Sequence, residues 1–309
     1  MSLELTVELR PPSREDAAEI ASALNEFNVP MGIDPETPQE IEAWFGTPSL
    51  DIERDARVAL VGGRIVGYGD VGDSSREGRF VWVDVRADPT RPDAQAVLLE
   101  FVEARARELA APDGLIKAWA PERASSWRSL LESRGYSFHH YSLRMRADLD
   151  SEPPRAQWPG GISIRTFRPG EDDEEVYEVY QETFSEQRDF SREPFGDWRH
   201  WSMREPFDPS LWFLALAGDE IQGISLCRSE WGGDTTVGWV SVLGVRKPWR
   251  RKGLGLALLR HSFRELRARG KKRAGLGVDA ENPTGAVRLY ERAGMEVVRR
   301  HVWYERLAR

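Results

Sequence analysis

Residues 242–259 combine basic side chains and glycine in a pattern that could bind phosphate. Within this stretch an apolar strand comes first, followed by the basic run 250–252 and then by a helix start that contains Gly253 and Gly255. Such a turn aims several backbone N–H groups and the positive end of a helix dipole at one point, which suits a pyrophosphate. The glycines remove β-carbons that would block a diphosphate, and the cations add charge-assisted donors. The pattern predicts a site for a phosphorylated cofactor.

Other interpretations of this stretch compete with the first. A basic run before a helix is also typical of a solvated surface turn. Gly253-x-Gly255 begins like the dinucleotide fingerprint, but Leu258 stands where the third glycine should be, and a Walker loop lacks its Gly-Lys-Ser/Thr. Residues 246–252 and 271–273, with Trp249 between charges, form a candidate nucleic-acid patch, which the net charge of −8 disfavours.

A second element, residues 282–295, places a tyrosine near this turn. Asn282 is a favourable N-cap, Pro283 suits the first helical position, and Gly294 suits the left-handed position that ends a helix. Tyr290 lies two turns into this predicted helix. A tyrosine there is either a core residue with a wet hydroxyl or, together with the phosphate turn, part of a reaction site.

Size and charge bound the possible functions. The chain of 309 residues is long enough for two domains, and it has no apolar run able to cross a bilayer. Residues 1–150 carry 17 Lys+Arg against 27 Asp+Glu, which leaves 26 against 24 for the rest, so the first part is −10 and the second +2. The acidic part could attract a cationic substrate or simply solvate the surface. The single Cys227 and the absence of a secretory pattern predict a reducing, cytoplasmic setting.

The sequence repeats itself about 158 residues apart. Residues 5–16 and 163–173 both contain an alternating strand, an Arg-Pro turn and an acidic helix start. Further on, residues 127–135 and 286–294 are both predicted short helices closed by glycine. The Pro- and Gly-rich seam at 148–161 reads as a linker. The repeat predicts a duplicated domain.

The predicted fold class is α/β (α+β mixed sheet), with two tandem domains that each have a mixed, partly antiparallel sheet flanked by helices. The predicted domains are 1–150 and 162–309, joined by the linker 151–161. Each should contain a glycine-closed hairpin, a long helix that connects parallel strands, and a final strand pair.

The residues of 161–309 resemble the GNAT superfamily of acetyl-CoA-dependent N-acetyltransferases, in a tandem arrangement similar to the mycothiol synthase type. The resemblance is carried by Val245, the Arg250-x-x-Gly253-x-Gly255 turn, Asn282 and the helix with Tyr290. It implies that strand 239–245 splays from strand 274–278 around the pantetheine arm of acetyl-CoA. The implied cofactor-binding residues are Leu243, Gly244, Val245, Arg250, Arg251, Lys252, Gly253, Leu254, Gly255, Asn282 and Ala286.

The first half resembles the same fold with an eroded site. Residues 90–95 stand in place of the phosphate turn, where Asp93 would repel a phosphate and Pro92 removes a backbone donor. Leu131 stands in place of Tyr290. This half is therefore expected to be noncatalytic.

The resemblance implies a reaction in which Tyr290 faces the sulfur and a base takes the proton of the acceptor amine. Asp279 and Glu281, at the end of strand 274–278, are predicted for that role, although both residues could simply solvate a strand end. Glu182 and Glu186 on an earlier helix are further candidates, and no spacing singles one out.

The expected function is acetyl transfer from acetyl-CoA to a small-molecule amine substrate. An acetyl-CoA sensor or a structural GNAT fold without turnover is the alternative. No metal is expected, because the five histidines lack metal-binding spacing, and Gly-x-Ser-x-Gly is absent. The aromatic residues of 195–213 either wall the acceptor pocket or pack in the core. No nucleic-acid or membrane partner is expected, and the protein is expected to be a monomer or homodimer.

Overall fold

The computed structural model describes residues 6–309, so Leu5, at the start of the first repeat, lies outside the described residues. The chain divides into two compact units. One runs up to His140 and includes His301–Arg309, and the other is Tyr141–Arg300. This division differs from the predicted boundaries 1–150, 151–161 and 162–309. It does so because the second unit already begins within a strand that precedes the predicted linker.

Twelve strands and nine α-helices are present in residues 6–309. The elements up to the strand where the units divide are β1 Glu8–Arg10, α1 Ala17–Met31, α2 Pro38–Phe45, α3 Ile52–Asp55, β2 Ala56–Val61, β3 Arg64–Gly72, β4 Phe80–Ala87, α4 Pro92–Leu109, β5 Leu115–Pro121, α5 Ser125–Ser133 and β6 Ser137–Asp148. The remaining elements are β7 Ile162–Thr166, α6 Asp173–Phe184, α7 Phe195–Ser202, β8 Trp212–Ala217, β9 Glu220–Arg228, β10 Val237–Val245, α8 Leu254–Ala268, β11 Arg273–Asp279, α9 Ala286–Arg292 and β12 Glu296–Leu307.

Both predicted hairpins are confirmed. β2 pairs with β3 and β8 with β9, each antiparallel. Gly62 and Gly63 have φ of 58° and 82°, and Gly218 has φ of 62°. Glycine adopts these left-handed angles without a side-chain penalty, which allows such short connections.

The predicted final strand pair of each half is wrong. β6 and β12 are single strands of 12 residues each. Neither segment contains a glycine or proline that could turn the chain, so each continues as one strand. The register places residues 301–307 of β12 beside β5, antiparallel, in the first unit. Residues 142–148 of β6 pair antiparallel with β11 in the second unit.

The second unit has the strand order β6-β11-β10-β9-β8-β7. β10 and β11 are parallel and are connected by α8, as predicted. Alternate residues of β8 enter two different cores, since Phe213 packs with α8 while Trp212 packs with α6 and α7. A mixed sheet flanked by helices is therefore confirmed.

The aromatic region before the first hairpin of this unit mainly builds its core. Trp198, Trp212 and Phe213 are almost fully buried. The interpretation as core packing holds for these three residues. Among residues 6–309, no helix has both the length and the apolar composition that a membrane span requires.

Candidate active site

The two central strands of the second unit, β10 and β11, separate after the first three residues of each. Within the described residues, β10 and β11 pair only at 237–239 with 273–275. On the other side of β10, the register with β9 passes from Val240 to Val242, so Ser241 is an extra, bulged residue. A bulge bends its strand and interrupts pairing. The C-terminal parts of β10 and β11 therefore leave a gap in the sheet.

A cavity of about 420 Å³ occupies this gap. Its walls are formed by the end of α6, the separated parts of β10 and β11, the turn before α8 with the start of that helix, and α9 with the segment that precedes it. The lining residues are Thr183, Phe184, Glu186, Gln187, Val240, Ser241, Leu243, Gly244, Val245, Arg250, Arg251, Gly255, Leu276, Gly277, Val278, Asp279, Asn282, Pro283, Thr284, Ala286, Leu289 and Tyr290.

The turn before α8 presents backbone amides. Arg251 has φ of 60° and Gly253 has φ of 90°, with Lys252 between them outside this left-handed region. Alternating hands of this kind turn successive N–H groups toward one side and form an anion-binding nest. The amides in the first turn of α8 have no intrahelical acceptor, as in any helix. Among the described side chains none caps them either. The side chain of Leu254 is buried in the core, so its backbone amide is the group that it can present to a ligand.

The guanidinium of Arg250 contacts protein oxygens. Its Nε donates to the carbonyl of Val245 over 3.0 Å, its Nη2 to the carbonyl of Thr183 over 3.4 Å, and its Nη1 to the carboxylate of Glu186. Arg250 thus ties the end of β10 to the end of α6. This geometry makes Arg250 a residue that holds the turn in position.

Two glycines allow close packing around the cavity. A β-carbon on Gly244 would lie 2.4 Å from Oγ1 of Thr183, so α6 can approach β10 only because Gly244 has none. A β-carbon on Gly255 would lie 3.0 Å from Cδ1 of Leu289 on α9. Around Gly253 a β-carbon would meet nothing within 4 Å, which leaves that side open.

The predicted role of Asn282 as a helix N-cap is wrong. The helix begins at Ala286, and its N-cap is Gly285 with φ of 77°. Asn282 instead accepts hydrogen bonds from the amide and hydroxyl of Thr284 at 3.0 and 2.6 Å, which closes a local turn. The side chain of Asn282 satisfies this turn before the helix starts, so Pro283 is not its first residue. Asn282 still lines the cavity.

Tyr290 lies on α9 and is 8% exposed. It contributes to the cavity wall and to the core that α8 covers. Burial raises the pKa of Tyr290 to about 12. The phenol therefore remains protonated, and able to donate a hydrogen bond, throughout the neutral range.

Each of the four predicted carboxylate bases has an arginine partner. Arg188 contacts Asp279 at 3.1 Å and Glu281 at 2.7 Å. Arg246 contacts Glu182 at 2.9 Å. The fourth carboxylate, Glu186, contacts Lys247 at 2.9 Å and also contacts Arg250. Hydrogen bonds from Lys247 and Arg250 lower the pKa of Glu186 to about 2.

The structure brings most predicted site residues to the cavity and leaves a few beside it. Lys252 stacks its ammonium 5.0 Å from the ring of Trp249. Lys252, Gly253, Leu254 and Glu281 are not among the lining residues. Sequence reasoning missed Ser241, whose signal is a lone hydroxyl in an apolar strand, and Arg188, which no local pattern marks.

The corresponding place in the first unit has different side chains and contacts. β4 and β5 pair at 80–83 with 115–118, and just beyond this pairing Trp119 Nε1 donates to Asp84 Oδ1 over 3.1 Å. Arg91 pairs with Asp93 at the start of α4, and Leu131 is fully buried. The noncatalytic role of this half stays a prediction.

Comparison with known proteins gives consistent matches over most of the chain. The model of the Acetyltransferase (GNAT) family matches residues 174–295. A mycothiol acetyltransferase from Geodermatophilus obscurus is 30% identical over 305 residues, which cover 93% of this chain and 94% of that protein. A GCN5-related N-acetyltransferase from Sphaerobacter thermophilus has a TM-score of 0.79 at 30% identity, covering 98% of this chain and 96% of its own. A tandem GNAT protein from the clavulanic acid biosynthesis pathway shares the fold, with a TM-score of 0.74 at 17% identity and coverage of 98% and 99%.

Proposed function

Because the chain belongs to the GNAT family of acetyltransferases, we propose that it transfers an acetyl group from acetyl-CoA to the amine of a small molecule. The observation that carries the proposal is the cavity between β10 and β11, which has an amide-rich turn at one side and Tyr290 in its wall. The similarity to mycothiol acetyltransferases supports a small-molecule acceptor.

The turn fits a diphosphate, because its left-handed residues Arg251 and Gly253 and the uncapped start of α8 direct N–H groups outward. Arg251 and Lys252 are exposed cations beside these amides. Acetyl-CoA supplies an activated acetyl thioester when it is bound. The proposed binding residues are Leu243, Gly244, Val245, Arg250, Arg251, Lys252, Gly253, Leu254, Gly255, Asn282 and Ala286.

β10 contributes backbone groups to the slot. Beyond Trp239, the edge of β10 that faced β11 is no longer paired with it, so the amides and carbonyls there can bind an extended ligand. An amide near Val245 is proposed to stabilise the oxyanion that forms during attack on a thioester. Arg250 supports this role by holding the carbonyl of Val245.

Tyr290 is proposed to donate a hydrogen bond to the departing sulfur. With a pKa of about 12, giving its proton fully to a thiolate, whose thiol has a pKa of about 8.5, is uphill by about 5 kcal/mol. Hydrogen-bond donation without complete transfer avoids this cost. Tyr290 is thus a donor that stabilises developing charge.

Thiol release from acetyl-CoA in the presence of a panel of amines tests the proposal. Turnover with any amine supports it. Thermal stabilisation by acetyl-CoA without turnover on any amine would instead favour the acetyl-CoA sensor.

The single cysteine, Cys227, is buried, and we expect the protein to work in the cytoplasm.

A further inference from the structure

We infer that the acceptor is a weakly basic amine that reaches the thioester already neutral, because each carboxylate among the described residues that line the cavity already has a cationic partner. The inference rests on the proposed acetyl transfer and names the substrate class of that same site. It follows from the partners of the carboxylates at the cavity and from the kinds of side chain in its wall.

Only two carboxylates, Glu186 and Asp279, are among the described residues that line the cavity. Glu186 is held by Lys247 and Arg250. Asp279 accepts a hydrogen bond from Nε of Arg188 over 3.1 Å. Both lining carboxylates therefore already have a cationic partner.

The two neighbouring carboxylates have the same kind of partner. Glu281 contacts Arg188 at 2.7 Å, and Glu182 contacts Arg246 at 2.9 Å. A substrate ammonium at any of the four carboxylates would have to compete with an arginine that is already in contact with it. Arginine keeps its charge at all ordinary pH values, so this competition does not weaken as the pH rises.

The other described lining residues include no histidine and no cysteine. Histidine is the side chain that ordinarily titrates near neutral pH. Tyr290, with its pKa of about 12, is a donor and not a base. Glu193 has a pKa raised to about 7 by burial, but it hydrogen-bonds with Tyr180 and is not a lining residue.

An amine that cannot give its proton to the protein must lose it beforehand. A lysine-like ammonium with a pKa of about 10.4 is neutral in roughly one molecule in 2,500 at pH 7, whereas an amine with a pKa near 7 is about half neutral. Aryl amines, hydrazines and amines beside electron-withdrawing groups therefore suit this cavity.

The transfer balances without a carboxylate base. The nitrogen lone pair forms a bond to the thioester carbonyl carbon, and the carbon–sulfur bond breaks. The proton that nitrogen loses passes to water, and the sulfur leaves as a thiolate that takes a proton from water while hydrogen-bonded to Tyr290. The products are an amide and a thiol.

Ethylamine and its mono-, di- and trifluoro derivatives test the inference, because they are similar in size and each fluorine lowers the pKa of the ammonium. kcat/KM is measured for each amine from acid to alkaline pH. We expect it to rise about tenfold per pH unit up to the pKa of the amine used and then to level off. The rising part of the profile should therefore move with the amine.

A rise at one pH shared by all four amines, for example near the pKa of Glu193, would assign the proton to a protein group and overturn the inference. Binding of acetyl-CoA with no turnover of any of the four amines would overturn the proposed function and this inference with it. As a second arm, Asp279→Asn and Glu281→Gln should keep the rise at the pKa of the amine even if the rate falls. A rise at acidic pH in the parent that disappears in either variant would identify that carboxylate as the base and overturn the inference.

Discussion

Arg188 donates a hydrogen bond from Nε to Oδ2 of Asp279 over 3.1 Å, so the segment after α6 is fastened to the end of β11. Its Nη2 also contacts Glu281 at 2.7 Å. We predict that Arg188→Ala increases kcat/KM for ethylamine relative to trifluoroethylamine by about tenfold, because two carboxylates become able to attract an ammonium. Initial-rate kinetics with both amines at neutral pH measure the ratio.

Arg192→Ala is the matched control for that variant. Arg192 belongs to the same segment and pairs with Glu178, which is not a lining residue. The ratio of the two amines should not change in this control. An equal change in both variants would mean that loss of charge from the segment, and not release of Asp279, is responsible.

Tyr290→Phe should lower kcat about a hundredfold while the affinity for acetyl-CoA changes little, because the hydroxyl acts on charge that develops during the reaction. Steady-state kinetics and calorimetric binding separate the two quantities. Tyr136→Phe removes another buried hydroxyl, in the first unit, and should leave kcat unchanged. Unchanged turnover in Tyr290→Phe would remove this residue from the mechanism.

Gly253→Ala should weaken acetyl-CoA binding at least tenfold. The substitution forces alanine to φ near 90° and adds a β-carbon on the open side of the nest. Gly270→Ala imposes similar strain, since Gly270 has φ of 80° and equally open space, but it follows the far end of α8. Both variants should lose about 1–2 kcal/mol of unfolding free energy. A comparable loss of binding in both would contradict the proposed nest.

Glu193→Gln should stabilise the protein, relative to the parent, more at pH 8 than at pH 5. Burial raises the pKa of Glu193 to about 7 from an ordinary value of 4.5. A raised pKa means that the folded state binds the proton more tightly, so stability is complete below about pH 4.5 and falls as the pH rises through 7. Glutamine is neutral throughout, and the variant should gain up to about 3 kcal/mol over the parent between these pH values. Denaturant unfolding at both pH values measures the gain, and a constant difference would contradict it.

Gly244→Ala should destabilise the second unit by about 1–3 kcal/mol, because its β-carbon would lie 2.4 Å from Oγ1 of Thr183. Thr183→Ala removes that oxygen and should recover part of the loss in the double variant. Denaturant unfolding of the two single variants and the double variant gives the coupling energy. Additive losses would show that the contact is not the cause.

Much of the fold was predictable because its signals are local. Gly62-Gly63 and Gly218 fix their hairpins, and the periodic residues of α8 fix a helix between parallel strands. The long strands β6 and β12 were not predicted correctly, because a turn between two shorter strands was expected in each, although neither contains a glycine or proline. Which strand they pair with depends on contacts between residues more than 100 positions apart in the chain, and no local pattern encodes such contacts.

The site shows the same limit. Gly255 and Tyr290, which the resemblance had singled out, line the cavity, whereas Gly253 does not. The partners of Arg250 were not predictable, since they lie 67 and 64 residues earlier in the chain. Thr183 is at the end of α6, whereas the predicted position of Glu186 on this helix is wrong, because Glu186 follows it. Arg188 pairs with Asp279 over 91 positions, so its effect on the candidate bases became visible only in the fold.

The pairing of β12 with β5 affects the order in which the protein can be completed during synthesis. Residues 301–307 follow β5 by at least 180 positions in the chain, yet they pair directly with it. Until they are made, β5 presents unpaired backbone groups on that side. The first unit therefore stays incomplete until residues 301–307 have been synthesised, and a gene cut at residue 150 would encode a fragment that lacks this strand.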